Sequence, residues 1–460
     1  MLMVGVFLHL ATVVGFLLGT LLIAHFIRQR RPPSDSVAWL LLIVLIPYVG
    51  LPMYLLLGGR KLRAMALRKR RIELGPLLDG VRVPGPLERL WLDQGIPLST
   101  GGNLLRLQDS GEQSYAALMA LIAGAERTLN VSMYLLQPDE VGREVLARLA
   151  ARAADGVQVR LLLDGVGSRH VRRRTLAPLI RAGGSAAFFM PIWRRPFRRR
   201  ANLRNHRKYV IADGWRVLAG GANVGLEYMG PHRQVDRWHD LTFTLEGPAV
   251  ASYAELFRSD WGFASGEWIR IEQPAQAHHP EGGAARLQIV PSGPDVPGDP
   301  LPDALLTLAV SARRRMWIVT PYFVPDDALC RALSLAAHRG VDVRVLVPHR
   351  SDHWIADLAG RGYLREIRNA GGTILHFPGM LHAKAVLSDD EVAILGSANI
   401  DMRSLLLNYE VGLFVYSAPE IAAVERWMEA LAHHAHPGLR HRRAMGELSE
   451  GLARLIAPQL

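Results

Sequence analysis

The chain carries one pattern of residues twice, 176 positions apart, and this duplication constrains its fold more than any other feature. The first copy reads NHRKYVIADGWRVLAGGANVG and the second reads LHAKAVLSDDEVAILGSANID. Both fit His-x-Lys-x4-Asp-x6-Gly-[Gly or Ser]-x-Asn. The matching positions are His206, Lys208, Asp213, Gly220 and Asn223 in the first copy, and His382, Lys384, Asp389, Gly396 and Asn399 in the second. A repeat of this length indicates two similar structural units.

The similarity extends upstream of both copies. Residues 125–141 resemble 312–328, and 155–164 resemble 339–348. In each half, a helical stretch separates the first of these segments from the second. Apolar strands alternating with amphipathic helices predict an α/β fold. We therefore expect a duplicated α/β unit with a site between its copies. Since PAQAHHPEGG at 274–283 has linker composition, the predicted domains are 1–71 (membrane hairpin with basic flank), 72–270 (first half), 271–285 (linker) and 286–460 (second half).

The N-terminal segment has the pattern of a membrane hairpin. Residues 1–27 and 37–57 contain no Asp, Glu, Lys or Arg, and each run reaches the roughly 20 residues that cross a bilayer as a helix. Prolines in the second run leave a re-entrant insertion open. The basic run that follows is Arg60, Lys61, Arg63, Arg68, Lys69, Arg70 and Arg71. It favours a cytoplasmic location for both termini and attracts anionic lipid.

The excess positive charge is concentrated in two places. The whole chain carries a formal +12, with ten Lys and Arg against one Asp in residues 1–71. A second cluster, seven Arg and one Lys without an acid, occupies residues 191–208. This distribution suits an enzyme at a lipid surface better than a nucleic-acid-binding face. The single cysteine, Cys330, excludes an intramolecular disulfide and a Cys-based zinc cluster.

The duplicated pattern has a definite chemistry. In a strand, residues i and i+2 share a face, so each His and its Lys should project together. An ammonium and an amide hold the non-bridging oxygens of a phosphoryl group, while an imidazole attacks phosphorus or moves a proton. The sequence shows no set of metal ligands, and the two lysines supply the positive charge that a metal pair supplies elsewhere. No cofactor is expected.

These segments resemble the duplicated HxKxxxxD motifs of the phospholipase D superfamily. The membrane hairpin with AWLLLIVLIPYVGLPMYLLLGG at 38–59, TPYFVPD at 320–326, GSANIDMRS at 396–404 and the C-terminal LARLIAPQL are similar to bacterial cardiolipin synthases. The resemblance implies two phospholipase D-like α/β/α sandwich repeats packed together, preceded by a two-helix transmembrane hairpin. One departure is Gly221, where many superfamily members have Ser.

The resemblance also implies an activity: transfer of a phosphatidyl group between two phosphatidylglycerol molecules through a phosphohistidine, releasing glycerol and giving cardiolipin. By analogy His206 is the nucleophile and His382 the acid/base, although the near-symmetric half-sites leave the reverse open. The implied catalytic set is His206, Lys208, Asp213, His382, Lys384 and Asp389, supported by Asn223, Asn399, Asp240, Glu410 and Ser397. Asp213 and Asp389 are interpreted as structural residues that bond backbone in a turn.

Each imidazole needs a carboxylate on its other nitrogen. Asp240 lies 34 residues after His206 and Glu410 lies 28 after His382, each on an extended segment. Because the family places acids at these positions, we assign the orienting role to them. A surface ion pair is the competing interpretation of either acid.

The first half contains an insertion before its motif, PIWRRPFRRRANLRN at 191–205. Its arginines and aromatic residues predict a loop that gathers anionic headgroups beside the site. A solvated basic loop is the alternative. The lipid-binding candidates are Arg194, Arg195, Arg198, Arg199 and Arg200.

Other activities would use the same half-sites. A hydrolytic phospholipase D differs only in using water to resolve the intermediate, and a membrane-tethered nuclease would use the basic loop for phosphates. A non-catalytic lipid-binding scaffold would not need both half-sites. The sequence favours the synthase in a bacterial inner membrane, with phosphatidylglycerol, cardiolipin and an anionic membrane surface as partners, and no nucleic acid. It leaves the oligomeric state open.

Overall fold

The structure is a computed structural model that describes residues 85–191, 203–270 and 280–438, together with Ile43, Lys69 and Glu450. The chain divides into two compact units, of which Met1–Arg60 with Phe197–Asn202 is the smaller. Only Ile43 of that unit is described, so the predicted hairpin lies outside the described residues apart from Ile43. The arginine candidates of the predicted loop, at 194–200, also lie outside them. Within the described ranges, no helix is both long enough and apolar enough to cross a bilayer.

The described part of the larger unit contains helices and strands in alternation, as the α/β prediction requires. The helices are α1 Pro86–Asp93, α2 Gly111–Ala123, α3 Glu140–Ala154, α4 Arg173–Arg181, α5 Val250–Ser265, α6 Pro300–Ser311, α7 Asp327–His338, α8 Trp354–Asn369, α9 Met402–Leu406 and α10 Ala418–His433. Side chains cap several of them: Ser110 accepts from the backbone of α2, Asp139 from α3 and Asp326 from α7. Such caps satisfy the free N–H groups at a helix start.

The strands of the first half are β1 Thr100–Gln108, β2 Thr128–Met133, β3 Gln158–Asp164, β4 Ser185–Phe189, β5 Tyr209–Ala212, β6 Arg216–Gly220 and β7 Thr242–Glu246. Those of the second half are β8 Ala285–Ser292, β9 Arg315–Val319, β10 Phe323–Val324, β11 Asp342–Pro348, β12 Thr373–Phe377, β13 Ala385–Ser388, β14 Val392–Gly396, β15 Ile400–Asp401, β16 Glu410–Val415 and β17 His436–Pro437. Strands β10 and β15 form a separate parallel pair.

The sheet order shows the duplication directly. The first half runs β1-β7-β6-β5-β2-β3-β4, and the second runs β8-β16-β14-β13-β9-β11-β12, with β17 at its edge. The two series correspond strand for strand. Antiparallel pairing of β1 with β8, with Thr100 opposite Leu287, joins them into one 15-stranded sheet. The two halves are thus parts of one continuous sheet.

Helices cover both faces of this sheet. Helices α2–α4 cover one face of the first half, and α6–α8 cover the same face of the second half. The other face packs against α5 and α10 in a core that contains residues of both halves. Strand β5 shows the consequence: Tyr209 and Ile211 face the shared core, while Val210 and Ala212 face the helices of the first half. A strand covered on both faces is apolar throughout.

Helix α1 does not pack where its sequence position suggests. It precedes β1 and falls within 72–270, yet Leu87 and Trp91 pack into the helical core of the second half. The Trp91 ring meets Phe414 edge-on at 5.1 Å between centroids, and its Nε1 donates to the Tyr416 hydroxyl. The paired strands β1 and β8 bring this helix next to the second half, so the chain crosses between halves before the first repeat begins.

Candidate active site

Each His-x-Lys segment lies just before a strand of its own half and is hydrogen-bonded to the other half. The His206 N–H donates to the Tyr409 carbonyl at 2.9 Å, and the His382 N–H donates to the His239 carbonyl at 2.7 Å. We expected these segments to be strands, whereas β5 and β13 begin only after Lys208 and Lys384. The reason is that the hydrogen bonds of the segments go across the junction, not to their own sheets.

This crossing decides which carboxylate meets which imidazole. His206 Nδ1 lies 3.0 Å from Oε1 of Glu410, and His382 Nδ1 lies 2.5 Å from Oδ2 of Asp240. Spacing along the chain associated Asp240 with His206 and Glu410 with His382, and that association is wrong. The acid-bearing segments lie beside the opposite histidines, so each half orients the imidazole of the other.

The two imidazoles and the two ammonium groups of the motifs come together at the junction between the two halves, and all four are buried. Lys208 Nζ donates to the His206 carbonyl at 2.7 Å. Lys384 Nζ lies 2.7 Å from Nδ1 and 3.1 Å from Nε2 of His382. The exposed fraction is 9% or less for His206, Lys208, His382 and Lys384. With each Nδ1 facing a carboxylate, the Nε2 atoms are the nitrogens left for chemistry.

Burial shifts the proton equilibria of these groups toward their neutral forms. It lowers the pKa of His382 to about 4, with a further lowering from Lys384, while the Asp240 carboxylate opposes both. It also lowers the pKa of His206, which Glu410 opposes. The lysines follow the same rule: burial lowers the pKa of Lys208 to about 7 and that of Lys384 to about 8. An anion bound between them would reverse these shifts.

The carboxylates of Asp213 and Asp389 are turned away to the backbone. Asp213 accepts from the N–H groups of residues 126–128, and Asp389 accepts from those of residues 313–315. Both residues have positive φ, 54° and 49°, a conformation in which Asp is enriched. Each carboxylate thereby ties the start of β2 or β9 to the motif turn. The interpretation of these residues as structural agrees with this, but the backbone that they bind belongs to a neighbouring strand and not to their own turn.

The supporting residues differ between the halves. The Ser397 hydroxyl donates to Glu410 Oε2 at 2.5 Å, whereas Gly221 stands at the equivalent position beside Asp240. A Cβ added to Gly221 would overlap Asp240 Oδ1, so the missing hydroxyl leaves room for that carboxylate. Asn223 and Asn399 are also buried, and their Oδ1 atoms accept no hydrogen bond in the part of the chain that is described.

Aromatic rings that sequence reasoning missed enclose both imidazoles. The Tyr134 ring meets His206 edge-on at 4.7 Å between centroids, and Lys208 Nζ lies 5.4 Å from the centre of the same ring. On the other side, Tyr228 and Trp238 contact His382 at 5.2 and 5.5 Å. Tyr134 directly follows strand β2, within the repeated segment 125–141. Its position at the end of a repeated strand was the sequence feature that could have indicated a residue of the site.

A buried charge cluster, which we call the four-charge cluster, includes Arg207 of the first motif and anchors that motif to the core. It consists of Lys69, Arg207, Asp260 and Asp295, all with fully buried side chains. Arg207 Nη1 lies 2.9 Å from Asp260 Oδ1, and its Nε donates to the Glu410 carbonyl. Lys69 Nζ contacts both acids, at 2.5 Å for Asp295. Lys69 was expected to attract lipid, but two internal carboxylates bind it instead.

The geometry supports a definite chemistry. Two imidazoles with oriented Nδ1 atoms and two ammonium groups converge in a buried junction, which suits attack on a tetrahedral phosphorus followed by proton transfer to a leaving oxygen. The ammonium groups stabilise charge that develops on the phosphoryl oxygens. The catalytic roles given to individual residues remain predictions.

The fold and the site define a phospholipase D-like protein. Phosphatidylserine synthase from Haemophilus influenzae has the same fold, with a TM-score of 0.62 over 82% of this chain and 100% of that one, at 16% identity. The family described as "Cardiolipin synthase, PLD-like domain" matches residues 118–261 and 305–432. The family described as "Phospholipase_D-nuclease N-terminal" matches residues 17–59.

Proteins with similar sequences narrow the assignment from phospholipase D-like proteins in general to one family. "Cardiolipin synthase 1" from Bacillus cereus is 33% identical, covering 94% of this chain and 90% of that protein. "Cardiolipin synthase A" from Pseudomonas entomophila is 33% identical over 96% of both. The chain belongs to the cardiolipin synthase family of phospholipase D-like proteins.

Proposed function

We propose that this chain is a cardiolipin synthase that transfers a phosphatidyl group from one phosphatidylglycerol to another, giving cardiolipin and glycerol. The observation that carries the proposal is the pair of buried imidazoles, each held through Nδ1 by a carboxylate of the opposite half. Such a pair can divide one displacement at phosphorus into two, through a covalent intermediate. Family membership supplies the substrate class.

In the first step, His206 Nε2 attacks the phosphorus of the donor lipid. The bond from phosphorus to the glycerol headgroup oxygen breaks, and a proton from His382 passes to that oxygen. Glycerol leaves, and the phosphatidyl group remains on His206. Lys208 and Lys384 hold the non-bridging oxygens, with Asn223 and Asn399 beside them.

In the second step, neutral His382 takes the proton of the terminal hydroxyl of a second phosphatidylglycerol. The hydroxyl oxygen attacks phosphorus, the bond from phosphorus to His206 breaks, and cardiolipin forms. Asp240 stabilises the His382 imidazolium during both transfers. Glu410, held by Ser397, does the same for His206 as it gains and loses the phosphatidyl group.

The same proposal places the enzyme at a membrane. Residues 1–71 form a two-helix membrane hairpin with a basic flank, and residues 72–270 and 286–460 form the two halves, joined at 271–285. The halves lie on the cytoplasmic side of a bacterial inner membrane, crossed more than once by the hairpin. The lipid-binding candidates act at the surface of that membrane; they are Arg194, Arg195, Arg198, Arg199 and Arg200. Their charge, without a neighbouring acid, supports the assignment.

The test is product analysis with the full-length chain in vesicles of labelled phosphatidylglycerol. Cardiolipin and glycerol are expected, whereas His206→Ala and His382→Ala should form neither. Phosphatidic acid with glycerol would instead indicate a hydrolytic phospholipase D. Failure to turn over lipid, with cleavage of nucleic acid, would indicate the nuclease.

Trapping the intermediate assigns the two histidines. The His382→Ala variant should accumulate a phosphatidyl adduct on His206, detectable by mass spectrometry. An adduct on His382 in the reciprocal His206→Ala variant would reverse the assignment. Adducts in neither variant would contradict a covalent route.

A further inference from the structure

The second half contains a large cavity that the mechanism above does not use. Its volume is about 510 Å³. It is bordered by the ends of β9, β11 and β12 and by helix α8. Six of its lining residues matter here: Tyr322, His349, Arg350, Trp354, Arg361 and His376. This volume falls in the range of ligand-binding pockets.

The charge of the cavity suits an anion. Arg350 is exposed and Arg361 half-buried, and neither forms an ion pair with any described residue. A third arginine, Arg365, is paired with Glu450. The remaining wall carboxylate, Asp357, accepts a hydrogen bond from the Ser351 N–H. Two arginines therefore face the cavity without an ion-pair partner in the described structure, and a guanidinium matches a phosphate in shape and charge.

The walls of the cavity are connected to the candidate active site. Thr320 Oγ1 donates to the Tyr322 carbonyl at 2.9 Å and accepts from the Ile400 N–H, next to Asn399. On the opposite wall, His376 is followed by Phe377, whose ring contacts His239 at 4.6 Å between centroids. The His239 carbonyl accepts from the His382 N–H. Short segments thus join both walls to residues of the candidate active site.

The rim indicates a lipid. The Trp354 side chain is 72% exposed at the first residue of α8, and an exposed tryptophan is typical of a surface at the membrane interface. Arg350 lines the same cavity and is also exposed. An exposed aromatic residue and a cation that line one cavity suit a phospholipid headgroup better than a soluble anion.

We propose that this cavity binds the phosphate of the acceptor phosphatidylglycerol, through Arg350 and Arg361. The inference rests on the proposed function, because a synthase must hold two lipid phosphates at once, separated by a single glycerol in the product. Lys208 and Lys384 hold the phosphate at which displacement occurs. The cavity holds the second phosphate, and the terminal hydroxyl of that lipid reaches phosphorus at His206.

The experiment compares two reactions of the full-length enzyme in phosphatidylglycerol vesicles. One is cardiolipin formation. The other is exchange of labelled free glycerol into phosphatidylglycerol, which passes through the same intermediate but needs no second lipid. For Arg350→Gln/Arg361→Gln, the ratio of cardiolipin formation to exchange should fall about tenfold or more, given the strength of hydrogen bonds to charged groups. Arg368→Gln, an exposed position on the same helix, is the control and should keep the wild-type ratio.

Other outcomes separate the two proposals. If the wild type catalyses neither reaction, the proposed function fails. If the double variant loses both reactions equally, or keeps both at wild-type levels, the acceptor assignment is wrong while the function stands. A third measurement adds inorganic phosphate. If the variant makes cardiolipin normally and differs only in losing inhibition by phosphate, the cavity binds a soluble anion and not the acceptor lipid.

Discussion

Replacing Asp295 with Asn should destabilise the protein by about 3–5 kcal/mol, because it breaks a buried ion pair without removing the cations. In the four-charge cluster, Lys69 and Arg207 balance Asp260 and Asp295. The amide keeps the shape of the side chain but leaves two buried cations with one carboxylate. For a unit of this size, a loss of that order lowers the unfolding midpoint by about 5 °C.

The double variant Lys69→Met/Asp295→Asn provides the sharper test. It removes one charge of each sign and leaves Arg207 paired with Asp260, so it should be more stable than Asp295→Asn alone. The midpoint of thermal inactivation in detergent measures both effects. Asp342→Asn, in a partly exposed pair with Arg344, is the matched control and should cost less than about 1 kcal/mol. Additive losses in the double variant would refute charge balance in the cluster.

Four further predictions follow from the site. Asp240→Asn should lower kcat about 10²–10⁴-fold, because Asp240 orients His382. If this variant instead disturbed His206, so that the phosphatidyl adduct on His206 no longer formed, the crossed pairing would be contradicted. The rate constant kcat/KM should fall as pH rises through about 7 to 8, where Lys208 and Lys384 lose their protons; a decline that begins only above pH 10 would refute this. Gly221→Ser should reduce kcat about 10²-fold, since displacing Asp240 misaligns the acid/base, and undiminished turnover would show that the carboxylate has room to move. Activity should survive EDTA, and a loss that a divalent ion restores would count against the lysine mechanism.

The duplication could be read from the sequence because it is a local and repeated property. Strands and helices of an α/β unit follow from apolar periodicity over short windows, and the strand orders of the two halves correspond as the repeat implies. The position of Asp389 in a turn is also local, because it directly follows β13 and has a φ of 49°, whereas the backbone that its carboxylate binds lies 74–76 residues earlier, at the start of β9.

The carboxylate that binds each imidazole could not be predicted from the sequence in the same way. Chain spacing measures separation within a half, and it associated Glu410 with His382. The structure pairs Glu410 with His206 because the segment before β5 is hydrogen-bonded to Tyr409 of the other half. A contact across a pseudo-symmetric junction leaves no trace in local periodicity.

The sequence by itself therefore determined the two half-sites, their residue types and the uneven distribution of positive charge, since these depend on composition and on order along the chain. Tertiary structure decided the crossed carboxylates, the burial of Lys69 between Asp260 and Asp295, and the cavity beside α8. The first two depend on which segments of the two halves the pairing of β1 with β8 brings together, and the cavity depends on how α8 packs beside the ends of β9, β11 and β12. A charge in a basic run has the same appearance in sequence whether it faces lipid or a buried acid, and only packing distinguishes the two.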